Sequence, residues 1–386
     1  MTFHKTILLF ILQLLIQQSS STTSLRPHHH LINNVMTTNQ YYDPKKIWTP
    51  QLVPNCILHS GTQRVFAVEM RTPTYSNVWE RQFRLSSLPT EIQSRVRCKD
   101  WSDTIDSHLR LTENGGQGPS PPTSKCEVDH RYFVGSKRTM LACLLGLRPL
   151  SFFNNANVLI LGLGGGSMPM QLGTSLFPKS KVTTIELDKA VVTLARSCFG
   201  FPSISIDSNL RVVVDDAVSY VKEAAKTVAL NKKDKVKNDP GNSNVHETYN
   251  LIINDIANNM LSSGPVGGNV HDALHSLEFF SNIVQLLQPN GIFIMNQRQN
   301  IGTDTDELST LSGIEENMKK AGFGTTRALL NDKVSRSILI GSLKKGETFD
   351  LIQVLRGNCE QLGLVAEKGE QWRDVNVLVE ELSAFV

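Results

Sequence analysis

NVLILGLGGGSMPMQLGTSLFPKSKVTTIELD, residues 157–188, decides how the rest of the chain is read. Val158, Leu159, Ile160 and Leu161 are apolar without alternation, the pattern of a parallel strand covered on both faces. Gly162, Gly164, Gly165 and Gly166 follow, and residues without a Cβ let the backbone turn sharply and come close to a ligand. Ser167 then opens a helix, whose first N–H groups can face an anionic or polar ligand. A second strand, 181–187, carries Glu186 about twenty residues after the glycines, where a carboxylate can accept hydrogen bonds from both ribose hydroxyls. The unit reads as a nucleoside-binding βαβ.

The glycine spacing narrows the nucleoside. In the dinucleotide pattern G-x-G-x-x-G, counted from Gly162, the third glycine falls on Ser167 and the pattern fails. G-x-G-x-G at Gly162, Gly164 and Gly166 fits, and this is the spacing of the glycine loop in class I enzymes that use S-adenosylmethionine. With a strand on each side and an acid closing the second, a mere tight turn explains the stretch less well.

Composition bounds the rest. At 386 residues the chain can bury one large core, or one core and a smaller module. A charged fraction of 19% and a formal net charge of +3 do not point to a nucleic-acid partner, because Lys and Arg are scattered among acids. The dense basic run NKKDKVK, 231–237, sits in a polar stretch and reads as a solvated insertion. Cys56, Cys98, Cys126, Cys143, Cys198 and Cys359 are widely spread, without C-x-x-C or Cys/His ligand spacing, so a metal is unsupported. Cys143 and Cys198 fall in apolar helical stretches and are expected to be core thiols, which suits a reducing folding compartment.

The N-terminus points elsewhere. Lys5 precedes an apolar run, 7–16, then QQSSSTTS, and the first acid is Asp43. The run is too short for a stable membrane span and has the size of a signal-peptide h-region. A secretory signal, a plastid or mitochondrial transit peptide, and an unstructured tail on a cytoplasmic protein all remain open. His28, His29 and His30 are read as part of this leader rather than as a metal site.

Taken in order, 1–45 is leader and linker, 46–125 a β-rich module and loop, 126–345 the α/β domain, and 346–386 a helical extension. In the β-rich module 64–71, 79–85 and 92–98 alternate apolar with polar residues, as in a small antiparallel sheet. TENGGQGPSPPTS, 112–124, has the composition of a surface loop. A helix is expected over 130–147, a third strand over 210–214, a fourth over 249–254 and a fifth over 292–296. Helices are expected at 189–199, 218–230, 274–287 and 307–321, with a closing antiparallel pair at 326–330 and 335–343. The expected fold is therefore α/β, a Rossmann-like, doubly wound, seven-stranded sheet with a small N-terminal β-rich module.

Glu186, Asp216 and Asp255 each fall just past the C-terminal end of an expected parallel strand, the edge at which open α/β sheets bind ligands. Glu186 would hold the ribose, Asp216 beside Ala217 would accept from the adenine amine, and Asp255 would lie at the reacting centre. Singly, each acid is as readily a surface group or a helix cap; three on one edge beside a glycine loop are harder to obtain that way.

The motifs LILGLGGGSMPMQL, FPKSKVTTIELD, ARSCFGF, LRVVVDDAVSYV and YNLIINDIANN resemble the spermidine-synthase-like branch of class I methyltransferases. Within that branch they are similar to the C-terminal half of the methyltransferase-like thirteen enzymes, which methylate translation elongation factor one alpha. The upstream runs ERQFRL and IQSRVRC resemble the β-rich lead-in of that half, so the likeness covers roughly residues 60–343. Spermidine synthases carry an Asp-Ser-Ser-Asp type loop after the fourth strand; here it reads Asp255-Ile256-Ala257-Asn258-Asn259, so the first acid is kept and the second is Asn258. Their Tyr-Gln-Glu segment is not recognisable around Tyr132. A polycationic substrate needs several carboxylates to replace its hydration.

The resemblance thus implies an S-adenosylmethionine-dependent methyltransferase acting on a protein amine, a lysine or an N-terminal α-amine, with a translation factor among the candidate substrates. Asp255 would orient the amine or take its proton, and Asn258 and Asn259 would hydrogen-bond it. Aminopropyl transfer to a polyamine and a non-catalytic nucleoside-binding scaffold are the alternatives. No N-P-P-Y-type tetrad follows the fourth strand, which speaks against methylation of nucleic-acid bases. A homodimer formed through the β-rich module is implied by resemblance alone.

Overall fold

The computed structural model describes residues 51–60, 63–71, 79–86, 92–98, 127–130, 136–202, 209–234, 248–256, 273–298, 307–331, 336–347, 350–362 and 378–379. The leader, the 112–124 loop, Asn258, Asn259 and most of the 231–247 insertion lie outside them. Among the described residues no helix is long and apolar enough to cross a membrane. The chain divides into two compact units, Met1–Asp129 with Ser197–Gly200, and His130–Arg196 with Phe201–Val386.

The first unit is an antiparallel meander of β1 (Gln51–Ser60), β2 (Gln63–Arg71), β3 (Trp79–Leu85), β4 (Ser94–Cys98) and β5 (Val128–Asp129), paired in that order. Val65, Ala67, Phe83, Leu85 and Val96 are buried in it. The sequence pattern did not mark β1, because Pro54 interrupts it. Pro54 lies where the pairing with β2 shifts register between Leu52 and Ile57, and a strand at the end of a sheet tolerates the missing N–H there. β3 has the bounds read in the sequence, and its Glu80, Arg81, Gln82 and Arg84 are all buried. Three of them are linked in a row: Gln82 Nε2 donates to Glu80 Oε2 at 2.8 Å, Arg84 donates to Gln82 Oε1 at 2.7 Å, and Arg95 lies 3.5 Å from Glu80.

Cys198 corrects the thiol reading. It forms a disulfide with Cys56 of β1 across a sequence separation of 142, and Cys98 is disulfide-bonded as well. An apolar helical setting is compatible with a bonded or a free cysteine, and sequence spacing alone cannot show that Cys56 and Cys198 lie 6.0 Å apart at their Cα atoms. Around the bond, Arg81 donates to the Cys198 carbonyl and Phe199 packs edge-on against Phe83 at 6.5 Å. Cys143 and Cys359 are buried free thiols, and burial pushes Cys359 up to about 11.

The second unit is built on a seven-stranded sheet. Its parallel strands are β6 (Asn157–Leu161), β7 (Lys181–Glu186), β8 (Leu210–Val214), β9 (Tyr249–Asn254) and β10 (Leu287–Arg298). The antiparallel pair β11 (Thr325–Asn331) and β12 (Arg336–Ser342) completes the order β11-β12-β10-β9-β6-β7-β8. The winding reverses between β6 and β9, which makes their C-terminal ends the switch point where open sheets take ligands. This is the Rossmann-like architecture expected from the sequence.

The unalternating strands are explained by two cores. Val158 and Ile160 of β6 pack with Leu251, Ile253, Ile292 and Ile294 on one face. Leu159 and Leu161 pack with Ile252, Phe293 and Met295 on the other. The first face is covered by α1 (Ser136–Leu147), which has the apolar face read in the sequence but is described only from Ser136. Helix α2 (Ser167–Met170) continues as a π turn, Gln171–Leu176, and α3 spans Lys189–Cys198. The second face is covered by α4 (Ala217–Asp234), α5 (Leu277–Leu286) and α6 (Glu307–Ala321). Ser276 caps α5 by accepting from the Phe279 N–H, so the helix begins there rather than at 274.

The helical extension docks as α7 (Leu351–Gln361) on the α1 face. Asn358 fixes it, donating to the carbonyls of Leu145 and Arg148 at 2.7 Å each and accepting the Leu150 N–H at 3.2 Å. Arg148 pairs with both carboxylate oxygens of Glu347, at 2.7 and 2.8 Å.

Cys56→Ser should lower unfolding free energy by about 2–5 kcal/mol, as expected when a long closed loop is released. Denaturant unfolding measures this, and non-reducing peptide mapping should recover Cys56 joined to Cys198. Unchanged stability with both thiols freely alkylated in the native protein would contradict the assignment.

Candidate functional site

At the end of β6 the backbone enters the left-handed region at Gly162, with φ of 97°, and again at Gly164 (53°) and Gly166 (78°). Gly165 lies between the last two. A Cβ on Gly162 would stand 2.9 Å from the Asp255 carbonyl oxygen, and one on Gly166 would stand 2.5 Å from the Phe201 ring. The loop therefore requires glycine for both conformation and space. Ser167, fully buried, opens α2 directly after it.

Glu186, the last residue of β7, is tied to that loop. Its carboxylate accepts the Leu163 N–H at 3.0 Å and the Asp188 N–H at 3.1 Å. Burial raises its pKa, while the N–H groups of Leu163, Asp188 and Gly164 pull it down less strongly. A carboxylate has about four acceptor positions, so capacity remains for ribose hydroxyls.

Asp216 follows β8 and caps α4, its Oδ1 accepting the Ser219 N–H at 2.8 Å; Ala217 is the buried first residue of that helix. Asp255 follows β9. Its N–H donates to the Leu161 carbonyl at 2.9 Å, and its Oδ1 accepts from Asn296 Nδ2 at 2.9 Å. The structure thus joins Gly162, the glycine loop, Glu186 and Asp255 through direct contacts. Asp216 stands two strands along the same edge from β6, and Asn258 falls outside the described residues.

Residues 142–331 match the spermine/spermidine synthase domain family. This part of the chain is a spermidine-synthase-like domain. The chain is 27% identical over 141 residues to the human eEF1A lysine and N-terminal methyltransferase, covering 36% of this chain and 17% of that protein. It is 29% identical over 221 residues to the polyamine aminopropyltransferase of Vibrio vulnificus, covering 57% and 54%. Less than two thirds of either relative is therefore spanned. Among solved structures, human methyltransferase-like protein 13 in complex with SAH aligns with a TM-score of 0.45 at 21% identity, covering 60% of this chain and 94% of that one.

Several residues that shape the edge of the spermidine-synthase-like domain had no sequence signal strong enough to single them out. Asn296 closes the apolar run IFIMN, and only the strand pairing reveals that it reaches Asp255. Lys137, on the first turn of α1, donates to Ser167 Oγ at 2.7 Å. Leu187 and Val214 flank the β7 and β8 acids and are 57% and 49% exposed, unusual for large apolar side chains beside buried strands.

The raised pKa of Glu186 has a sign that can be tested. Its stability contribution is present below the unfolded carboxylate pKa and is lost as pH rises through the higher folded value. Acceptance of ribose hydroxyls runs the other way, since it needs the ionised form. Nucleoside affinity should therefore fall on acidification, starting above the ordinary carboxylate range, and Glu186→Gln should bind more weakly and lose that pH dependence. Calorimetric titration across pH checks this; an unchanged profile in the variant would remove Glu186 from the ribose.

Proposed function

We propose that the chain is an S-adenosylmethionine-dependent methyltransferase whose acceptor is an amine on a protein. The observation that carries this reading is Asp255, fixed by Asn296 against the glycine loop at the switch point of the sheet. The loop and edge fit the cofactor: Glu186 for the ribose, Asp216 and Ala217 for the adenine edge, and Leu187 and Val214 as exposed apolar surface for the base. When bound, the cofactor supplies an electrophilic methyl group, so the chain's own part is alignment, exclusion of water and handling of one proton. Asp255 orients the amine and takes its proton, with Asn258 and Asn259 as hydrogen-bonding partners. The name of the human relative, a lysine and N-terminal methyltransferase, supports a protein amine.

A second reading is kept by the Vibrio relative, an aminopropyltransferase. Against it stands the loop Asp255-Ile256-Ala257-Asn258-Asn259, with one acid where a polyamine needs several. The compartment belongs to the same proposal. Disulfides persist in oxidising surroundings, so the bonded Cys56, Cys98 and Cys198 favour an acceptor in the secretory pathway over a cytosolic translation factor.

Purified chain with methyl-labelled S-adenosylmethionine should label lysines or N-termini of proteins in a secretory-pathway extract, read by mass spectrometry. Asp255→Asn should lower the rate by roughly 10²–10⁴, the span of general-base contributions. No label from this cofactor, together with aminopropyl transfer from decarboxylated S-adenosylmethionine to putrescine or spermidine, would establish the second reading instead.

A further inference from the structure

The glycine loop rests on a small apolar cluster, and one member of that cluster stands three residues from a disulfide. Leu163 of the loop, Val192 and Ala195 of α3, and Phe201 are buried together. The Phe201 ring fills the space a Cβ on Gly166 would need, 2.5 Å from that position, and the Phe201 N–H donates to the Ala195 carbonyl at 3.0 Å. Gly166 ends the loop and is followed at once by Ser167, the first residue of α2. Just upstream of Phe201 the chain is held fast. Cys198, the last residue of α3, is bonded to Cys56 of β1, its carbonyl accepts from Arg81, and Phe199 is fully buried with its ring edge-on to Phe83. Gly200, with φ of 67°, then turns the chain into Phe201. At the other end of α3, Asp188 donates its N–H to the Glu186 carboxylate, so this helix runs from the ribose acid to the disulfide.

We propose that the Cys56–Cys198 disulfide positions the cofactor loop through Phe201, so that the oxidised chain binds S-adenosylmethionine more tightly than the reduced one. The inference rests on the cofactor reading above and adds a control on it. An aromatic ring steadies a loop only as well as the chain carrying the ring is itself fixed. A covalent bond at residue 198 removes freedom from 199–201 that ligand binding would otherwise have to remove. A dithiol reductant reverses this by exchange: its two thiols lose two electrons and two protons and close as its own disulfide, and Cys56 and Cys198 take them up as two thiols. Residues 199–201 are then held by packing and hydrogen bonds alone. The free thiols Cys143 and Cys359 are buried in the core on the α1 face and do not belong to the Phe201 cluster. Cofactor affinity thereby follows the redox state of the surroundings, rising once the chain reaches a compartment in which the bond persists.

The test is calorimetric titration of S-adenosylmethionine into the full chain, oxidised and after dithiothreitol, and into Cys56→Ser with Cys198→Ser, each shown to be folded by circular dichroism. The double variant is needed because Cys98 is disulfide-bonded too and reductant acts on both bonds. The oxidised chain should bind about tenfold more tightly than the reduced chain or the double variant, within the usual span of coupling between two sites. Coupling is reciprocal, so saturating S-adenosylmethionine should shift the dithiothreitol ratio at half-reduction of Cys56–Cys198, read by peptide mapping, by the same factor. A bond that only stabilises the fold would leave that ratio unmoved. Phe201→Leu, with the disulfide intact, should weaken binding to a similar extent and make it insensitive to reductant. Equal affinity in the folded oxidised and reduced chains would overturn the proposal while leaving the cofactor reading intact. Should the reduced chain and the double variant lose their fold, unaltered affinity in Phe201→Leu would overturn it, and weakened affinity there would support it. Failure of the oxidised chain to bind would overturn the cofactor reading itself, and the proposal with it.

Discussion

No side chain fits at Gly162. Its Cβ would meet the Asp255 carbonyl at 2.9 Å, and its positive φ would be strained for any other residue. That close approach lets the glycine loop turn across the end of β9, so that the loop and the acid after β9 share one edge. Glu186 completes the arrangement from the other side by accepting the N–H of Leu163. Three successive parallel strands, β9, β6 and β7, are thereby joined at their C-terminal ends, by backbone approach at β9 and by the buried Glu186 carboxylate at β7. A site built this way is largely preformed.

The chemistry follows from what surrounds that frame. In the proposed reading one carboxylate, Asp255, steadied by Asn296, would remove one proton from one amine. A polyamine would arrive with several charges, and the sequence after β9 carries one acid, Asp255, before Asn258. The relatives include both a protein methyltransferase and a polyamine aminopropyltransferase, and the single acid in the loop after β9 is what favours the proposed methyl transfer.

Much of this was legible in the sequence. The βαβ unit, the strands at 210–214 and 249–254 and the helix at 307–321 have the bounds that apolar runs and turn residues indicate, because each is a local pattern. The three edge acids are legible for the same reason, as each ends a recognisable strand. What was hidden depends on tertiary pairing. Cys198 looks like any helical cysteine until β1 places Cys56 beside it, and β1 is masked by Pro54. The polar side chains of β3 alternate as a solvent face would, yet they are buried and bonded to one another. Asn296 and Lys137 gain meaning only from contacts spanning 41 and 30 residues of chain.

The most direct measurement of the central claim is calorimetric titration of S-adenosylmethionine into the unaltered chain and into Gly164→Arg and Glu186→Ala. The account predicts one site in the unaltered chain, lost in Gly164→Arg and strongly weakened in Glu186→Ala. Equal binding in all three proteins would contradict it.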